Sequence, residues 1–173
     1  MSALINYFDN HEIKLCLRVN RLSRARGVRP FFTAVSKAGD GGCWIFLAVA
    51  CLLSGRDDAP LFVARALATA VAGIALYRVL KNRLVRERPY ITNAGIICGT
   101  APLDRYSFPS GHTLHAVSFT ILFTAFDPWL AFIVVPLALL IAVSRVVLGL
   151  HYPSDVIAGA VIGSILATTA LTV

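Results

Sequence analysis

The chain has 173 residues, of which 57% are hydrophobic and only 14% are charged. Its mean hydropathy of +0.74 lies above the range of soluble globular domains, so the composition predicts a membrane protein. The formal net charge of +7 comes from basic residues beside apolar stretches, which argues against nucleic-acid binding. Because each span takes about 20 residues, we expect a single membrane-embedded domain over residues 1–173.

The first segment, residues 1–30, is predicted to be amphipathic. Its apolar residues recur at helical spacing, at Leu4, Phe8, Leu15, Val19 and Leu22. Charged residues fill the opposite side, at Asp9, Lys14, Arg18 and Arg21. This pattern is typical of a helix that lies in the membrane interface, and it suits equally a helix packed on a bundle.

The membrane spans follow. The first is poorly defined, because Lys37, Asp40 and the pair Gly41-Gly42 interrupt the apolar sequence that starts at Phe31. Four clearer apolar stretches come next, at Leu61–Leu80, Thr113–Phe126, Leu130–Val147 and Val156–Val173. The prediction is an all-α, polytopic transmembrane helical bundle of about five spans, or of four or six if the N-terminal helices insert differently.

One long polar insert, residues 81–110, separates two of these spans and is the predicted active-site loop, since such a loop is usually functional. Spans alternate in direction, so the chain returns to the face of this insert near Gly111, Val147 and Pro153. Seven polar residues are therefore expected at one membrane face: Lys81, Arg88, Ser110, His112, Arg145, His151 and Asp155.

These residues have the chemistry of a phosphate site. Ionisable groups are costly near hydrocarbon, so a cluster of them indicates function. Three cations, Lys81, Arg88 and Arg145, match a phosphate dianion. Ser110 and Gly111 open a helix, whose first N–H groups bind anions, and glycine permits close backbone approach. No carboxylate cluster with metal-ligand spacing competes, so we expect phosphoryl transfer without a metal or other cofactor.

A histidine pair supplies the reactive groups. Asp155 follows His151 by four residues, so its carboxylate can accept from one imidazole nitrogen and leave the other nucleophilic. His112 then protonates the departing oxygen and later takes a proton from water. Residue types alone would allow the two histidines to exchange roles, and the aspartate favours His151 as the nucleophile.

Other polar residues are interpreted without a catalytic role. His115 is expected to pack within the bundle, although it could also line the mouth of the pocket. Arg83 and Arg86 are interpreted as solvated loop charges, with contact to a lipid headgroup as the alternative. Asp104 is expected to pair with Arg105 or to order the loop.

The polar residues also form a composite motif. It runs Lys81 to Arg88-Pro89, then Pro109-Ser110-Gly111-His112, then Ser144-Arg145 with His151 and Asp155. This motif resembles the three-part signature of the type 2 phosphatidic acid phosphatase superfamily, over roughly residues 38–173. The resemblance implies a helical bundle with lipid phosphatase activity and a phosphohistidine on His151. It also implies a phosphate surrounded by Lys81, Arg88, Ser110, Gly111, His112 and Arg145, with Asp155 orienting the nucleophile.

The predicted function is hydrolysis of a lipid phosphate monoester or diphosphate. Phosphatidic acid, phosphatidylglycerol phosphate, undecaprenyl diphosphate and a lipid A phosphate all remain possible substrates. The first alternative is a lipid phosphotransferase with the same site. The second, less favoured alternative is a non-catalytic transport or scaffold protein. The expected partner is a membrane lipid, and the expected location is a bacterial inner membrane. The membrane face of the site and the oligomeric state are left open.

Overall fold

The computed structural model describes the backbone from residue 2 and the side chains of residues 11–173. Over this range the secondary structure is helical and contains no strand, which confirms the all-α prediction. The helices are α1 (Ser2–Asn20), α2 (Val28–Ala38), α3 (Gly42–Leu52), α4 (Ala59–Leu84), α5 (Pro89–Thr92), α6 (Gly111–Phe126), α7 (Ala131–Val147) and α8 (Pro153–Thr172). Short 3-10 turns at Arg21–Arg24 and Pro128–Leu130 precede α2 and α7.

Helices α6 and α8 pack together with their backbones almost in contact. A Cβ atom at Gly159 would lie 2.5 Å from the carbonyl oxygen of Ser110, and one at Gly163 would lie 2.3 Å from that of Leu114. Small residues spaced four apart permit such close approach between membrane helices. The amide of Ser110 also donates to the carbonyl of Asp155 at 3.0 Å. The N-terminal ends of α6 and α8 therefore meet at one end of the bundle.

An aromatic cluster joins α3 and α4 to α6 away from that end. Phe62 stacks on Phe126 with ring centroids 4.5 Å apart, and it meets Phe123 edge to face at 5.0 Å. Trp44 packs on the same cluster, 6.2 Å from Phe123. Aromatic pairs of this kind contribute about 0.5–1.5 kcal/mol each beyond the area they bury. The cluster holds α4 against α6, which directs the far end of α4 toward the site.

The span count differs from the prediction of about five. Three helical segments are long and apolar enough to cross a membrane: Ala59–Thr92, Pro128–Val147 and Pro153–Thr172. The pair α2 and α3, bent by 47°, would form a fourth if it counts as one span. Helix α6, which contains the predicted span Thr113–Phe126, has only 16 residues. It is about 24 Å long, against about 30 Å for the hydrocarbon core. The structure therefore supports three or four spans.

Helix α6 is the centre of the bundle. Large apolar side chains are exposed on the outward faces of α3, α4, α7 and α8, such as Leu67 at 63% and Leu139 at 63%. No large apolar side chain of α6 is exposed among those that the structure describes. The surrounding helices thus present the apolar surface that a bilayer would cover, and α6 is enclosed by them.

The N-terminal segment does not follow its predicted bounds, because α1 ends at residue 20 and α2 starts within residues 1–30. Cys16 of α1 is fully buried in a cluster with Tyr152. Leu15 and Leu22, which belong to the predicted apolar stripe, are exposed. Two further residues of that stripe, Leu4 and Phe8, lie outside the described side chains. The described part of α1 packs on the bundle, and a position in the membrane interface stays a prediction.

The predicted loop 81–110 also begins later than expected. Helix α4 continues to Leu84, because lysine, arginine and leucine are good helix formers even where they end an apolar run. Lys81 is therefore a helical residue. The chain leaves α4 at Val85, which adopts the left-handed conformation with φ of 42°.

Candidate active site

One polar cavity of about 160 Å³ lies at the end of the bundle where α6 begins. Six of the eight residues predicted from the sequence line it: Lys81, Arg88, Gly111, His112, Arg145 and His151. The other two, Ser110 and Asp155, are fully buried. Residues far apart in the chain are thus brought together around one space.

The cations of this cavity contact Asp104, which was not among the predicted site residues. Asp104 receives hydrogen bonds from Lys81 Nζ at 2.7 and 2.8 Å, one to each carboxylate oxygen. Arg88 Nη2 donates to the same carboxylate at 2.7 Å. Burial opposes ionisation of Asp104, but Lys81 and Arg88 outweigh it and lower the pKa of this carboxyl below its ordinary value. The carboxylate of Asp104 therefore occupies two of the three cations that are predicted to bind the phosphate.

His151 lies in the connection between α7 and α8 and is 1% exposed. Its Nε2 is 3.3 Å from Arg88 Nη1, and that guanidinium is held in place by the carbonyl of Leu150 at 2.8 Å. Burial first, and then Arg145 and Arg88, lower the pKa of His151 well below the ordinary value. The imidazole is therefore neutral at pH 7, which leaves a lone pair for attack on an electrophile.

Asp155 is held in place by Tyr152 and Arg86 and lies close to His151. Its Oδ2 lies 3.6 Å from His151 Nδ1, just beyond hydrogen-bond distance, and accepts from the amide of Tyr152 at 2.9 Å. Its Oδ1 accepts from Arg86 at 2.8 Å. Arg86 also binds Glu12 of α1 at 2.7 Å. The interpretation of Arg86 as a solvated charge is therefore wrong: its partners lie 69 and 74 positions away, beyond the reach of local sequence patterns.

The start of α6 and the α2–α3 turn complete the lining. Ser110 Oγ pairs with Thr113 Oγ1 at 3.0 Å. His112 Nε2 lies 2.5 Å from Asp40 Oδ1, and Arg145 donates to Ser36 Oγ. Sequence reasoning missed Asp40 and Ser36, since Asp40 seemed only to interrupt a span. The one available signal was that carboxylate, placed between glycines in an apolar stretch.

An apolar cavity adjoins the polar one. It has a volume of about 410 Å³, lies between α3, α4 and α6, and shares Asp40, Ile74 and His115 with the polar cavity. The ring of His115 stacks on Phe119 with centroids 5.8 Å apart and meets Tyr77 edge-on. The polar cavity and the apolar cavity therefore adjoin each other at His115.

The chain is similar to known proteins over most of its length. Residues 61–173 match the model of the PAP2 superfamily. Undecaprenyl-diphosphatase of Sulfolobus acidocaldarius is 31% identical over 158 residues, which cover 90% of this chain and 73% of that protein. Decaprenylphosphoryl-5-phosphoribose phosphatase of Mycolicibacterium smegmatis is 34% identical over 136 residues, covering 77% and 72%.

A solved structure is similar over nearly its whole length. The crystal structure of Aquifex aeolicus LpxE superposes with a TM-score of 0.80 at 27% sequence identity, and the match covers 92% of this chain and 94% of that one. Together these matches confirm the family resemblance that the motif indicated. The family model starts at residue 61, so Ser36 and Asp40 lie outside the part it describes.

Proposed function

The chain belongs to the PAP2 superfamily, and on that premise we propose that it is a lipid phosphatase that works without a metal through a phosphohistidine on His151. One observation carries this proposal above the others. A buried, neutral imidazole opens into a cavity that is lined by three cations, Lys81, Arg88 and Arg145. Such a cavity suits a phosphate that is to be transferred to nitrogen.

In this proposal the phosphate is bound by cationic side chains and by backbone amides. Lys81 and Arg88 exchange the carboxylate of Asp104 for phosphate oxygens, and Arg145 contributes a third positive charge. The first amides of α6, at Gly111 and the residue after it, lack acceptors within the helix and are available to donate to the anion. Positive charge and preorganised donors stabilise the transferring phosphoryl group, which is most of what this chemistry requires.

The first chemical step forms a bond between phosphorus and Nε2 of His151, while the bond from phosphorus to the lipid oxygen breaks. Nε2 is the attacking atom because it faces Arg88, whereas Nδ1 faces Asp155. The gap of 3.6 Å between Nδ1 and Asp155 Oδ2 closes to a hydrogen bond with a shift of a few tenths of an ångström. That bond stabilises the positive charge that develops on the ring. His112 gives its proton to the departing oxygen.

The second step returns the enzyme to its starting state. A water molecule attacks phosphorus, His112 takes a proton from that water, and the bond between phosphorus and Nε2 of His151 breaks. Inorganic phosphate leaves and Asp104 returns to the cations. An alcohol of a second lipid in place of water would give the phosphotransferase reaction.

The substrate class follows from the two adjoining cavities. The polar cavity accepts a terminal phosphate, and the apolar groove between α3, α4 and α6 accepts the start of a hydrocarbon tail. Two of the related proteins are named for polyprenyl substrates, so we place undecaprenyl diphosphate first among the substrates to be tested. Phosphatidic acid, phosphatidylglycerol phosphate and lipid A phosphates complete the panel.

We further propose that the whole chain forms one domain in the bacterial inner membrane. The polar cavity is lined by the α2–α3 turn as well as by α4 and later elements. The cavity is therefore incomplete without the α2–α3 segment. The apolar outer surface supports insertion of the bundle in a bilayer.

The proposal is tested by phosphate release from the lipid panel, with protein purified in detergent and assayed in EDTA. We expect release from at least one lipid by the unaltered protein and none by His151→Ala. His11→Ala, an exposed histidine on α1, is the matched control and should keep full activity. Release that disappears in EDTA, or that survives in His151→Ala, would refute the mechanism.

A further inference from the structure

We infer that Asp40, in the turn between α2 and α3, is a positioning residue that holds His112 in its orientation and in its proton-donating form. This inference rests on the proposed function, in which His112 protonates the departing oxygen. It assigns a part in the reaction to a segment that precedes the residues matched by the family model.

Asp40 contacts His112 directly, in a turn whose glycines allow the close approach. Asp40 Oδ1 and His112 Nε2 are 2.5 Å apart, although 72 positions separate them in the chain. The His112 side chain is 11% exposed and that of Asp40 is 42% exposed. A Cβ at Gly39 would lie 3.2 Å from Cδ2 of the same imidazole, so a glycine lets the turn approach the ring. Gly41 follows with φ of +123°, a conformation that bends the chain into α3.

The charges around His112 explain why it needs this carboxylate. Lys81, Arg88 and Arg145 line the same cavity, and each positive charge disfavours a protonated imidazole. Asp40 is the carboxylate in contact with the ring, and its negative charge opposes them. A general acid must carry its proton when the substrate is bound. The carboxylate therefore favours the protonated form of His112 and offsets part of the cost that the cations impose on it.

The same turn also steadies a phosphate ligand. Ser36, on the last turn of α2, accepts a hydrogen bond from Arg145, and both side chains are buried. The α2–α3 segment thus contacts both Arg145 and His112, which lie on different helices. The contact of Asp40 with the start of α6 is made at the break where α2 and α3 are bent by 47°.

The proton transfer can be written for this geometry. Asp40 accepts the Nε2–H of His112 and keeps its own charge throughout. The proton on Nδ1 passes to the lipid oxygen as the bond from that oxygen to phosphorus breaks and the bond from His151 Nε2 to phosphorus forms. In the second step Nδ1 recovers a proton from the attacking water.

The test uses leaving groups of different basicity. Two synthetic phosphate monoesters with the same alkyl tail are compared. The leaving group is an alcohol in one and a nitrophenol in the other. The alcohol needs a proton donor and the nitrophenol does not. For Asp40→Asn we expect kcat/KM to fall about tenfold to a hundredfold with the alcohol and much less with the nitrophenol. His112→Ala should show the same selective loss, and Asp40→Glu should restore most of the activity on the alcohol.

The controls separate this role from its alternatives. Asp58→Asn removes a carboxylate that is similarly exposed and paired, with Arg56, and it should not change kcat/KM. Equal losses on both phosphates in Asp40→Asn and in Asp40→Glu would indicate a merely structural role and overturn the inference. An unchanged or increased kcat/KM on both would show that Asp40 only competes with the substrate. If the unaltered protein released no phosphate in EDTA, or if His151→Ala retained release, the proposed function itself would fail.

Discussion

Asp104 gives the sharpest test of how the phosphate is bound, because it contacts two of the three cations. The perturbation is Asp104→Asn, which removes the charge and keeps the size of the side chain. In the structure Lys81 and Arg88 bind this carboxylate at 2.7 Å each. A phosphate that enters the cavity must displace it.

The magnitude follows from those contacts. A hydrogen bond to a charged group contributes about 1.5–3 kcal/mol, and the phosphate replaces each bond that it breaks, so only a remainder opposes binding. Asp104 is 36% exposed, and solvent screens the pair further. We therefore expect a net cost of about 1.4 kcal/mol, which is about tenfold in affinity. Asp104→Asn should bind inorganic phosphate about ten times more tightly than the unaltered protein.

The assay is competitive inhibition by inorganic phosphate, together with thermal unfolding in detergent. Without phosphate the variant should melt lower than the unaltered protein, because two buried cations lose their partner. Added phosphate should then raise its melting temperature by more than that of the unaltered protein. An inhibition constant that stays equal or increases in Asp104→Asn would refute the argument that this carboxylate occupies the phosphate position.

Three further predictions concern the packing of the helices and the ionisation of His151. Gly163→Ala places a methyl group 2.3 Å from a backbone oxygen of α6 and should cost about 2 kcal/mol or more in stability, whereas Gly42→Ala, with nothing within 4 Å, should not lower the melting temperature. The pKa of His151 is lowered, so its imidazole should stay neutral as the pH falls through 6.5 and protonate only well below that value. The measurement is the ¹⁵N chemical shift of labelled histidine, assigned with His151→Ala. A titration of this signal near pH 6.5 would contradict the prediction. Glu12→Gln weakens the contact of α1 with Arg86 and should lower the stability by about 1–2 kcal/mol, and an unchanged melting temperature would show that α1 does not support the site.

The family and the helical class could be predicted from the sequence, because both rest on local signals. Apolar runs of the right length indicate membrane helices, and the motif with His112 and His151 is dense enough to identify a family. Alternation of spans also anticipated that Lys81, Arg88 and Asp155 would lie at one end of the bundle. The roles of these residues stay predictions.

The missed features depend on contacts between distant parts of the chain. Asp40 meets His112 and Arg86 meets Asp155 only after the bundle has formed, and no periodicity marks such pairs. About five spans are not confirmed, because α6 has only 16 residues and is enclosed by other helices, which leaves three or four helical segments of spanning length. The end of α4 is not marked by the end of its apolar run, because the charged residues after Leu80 continue the helix to Leu84.

The central claim is that phosphate passes through a covalent bond to His151, and the most direct test is to trap that intermediate. Phosphoryl bonds to histidine survive alkali and break in acid, so a lipid with a labelled phosphate is mixed with the protein and quenched at high pH. We expect acid-labile label on the protein, mapped by mass spectrometry to His151. His112→Ala should carry more label when a nitrophenol is the leaving group. Turnover without any labelled protein, or label on His112, would contradict it.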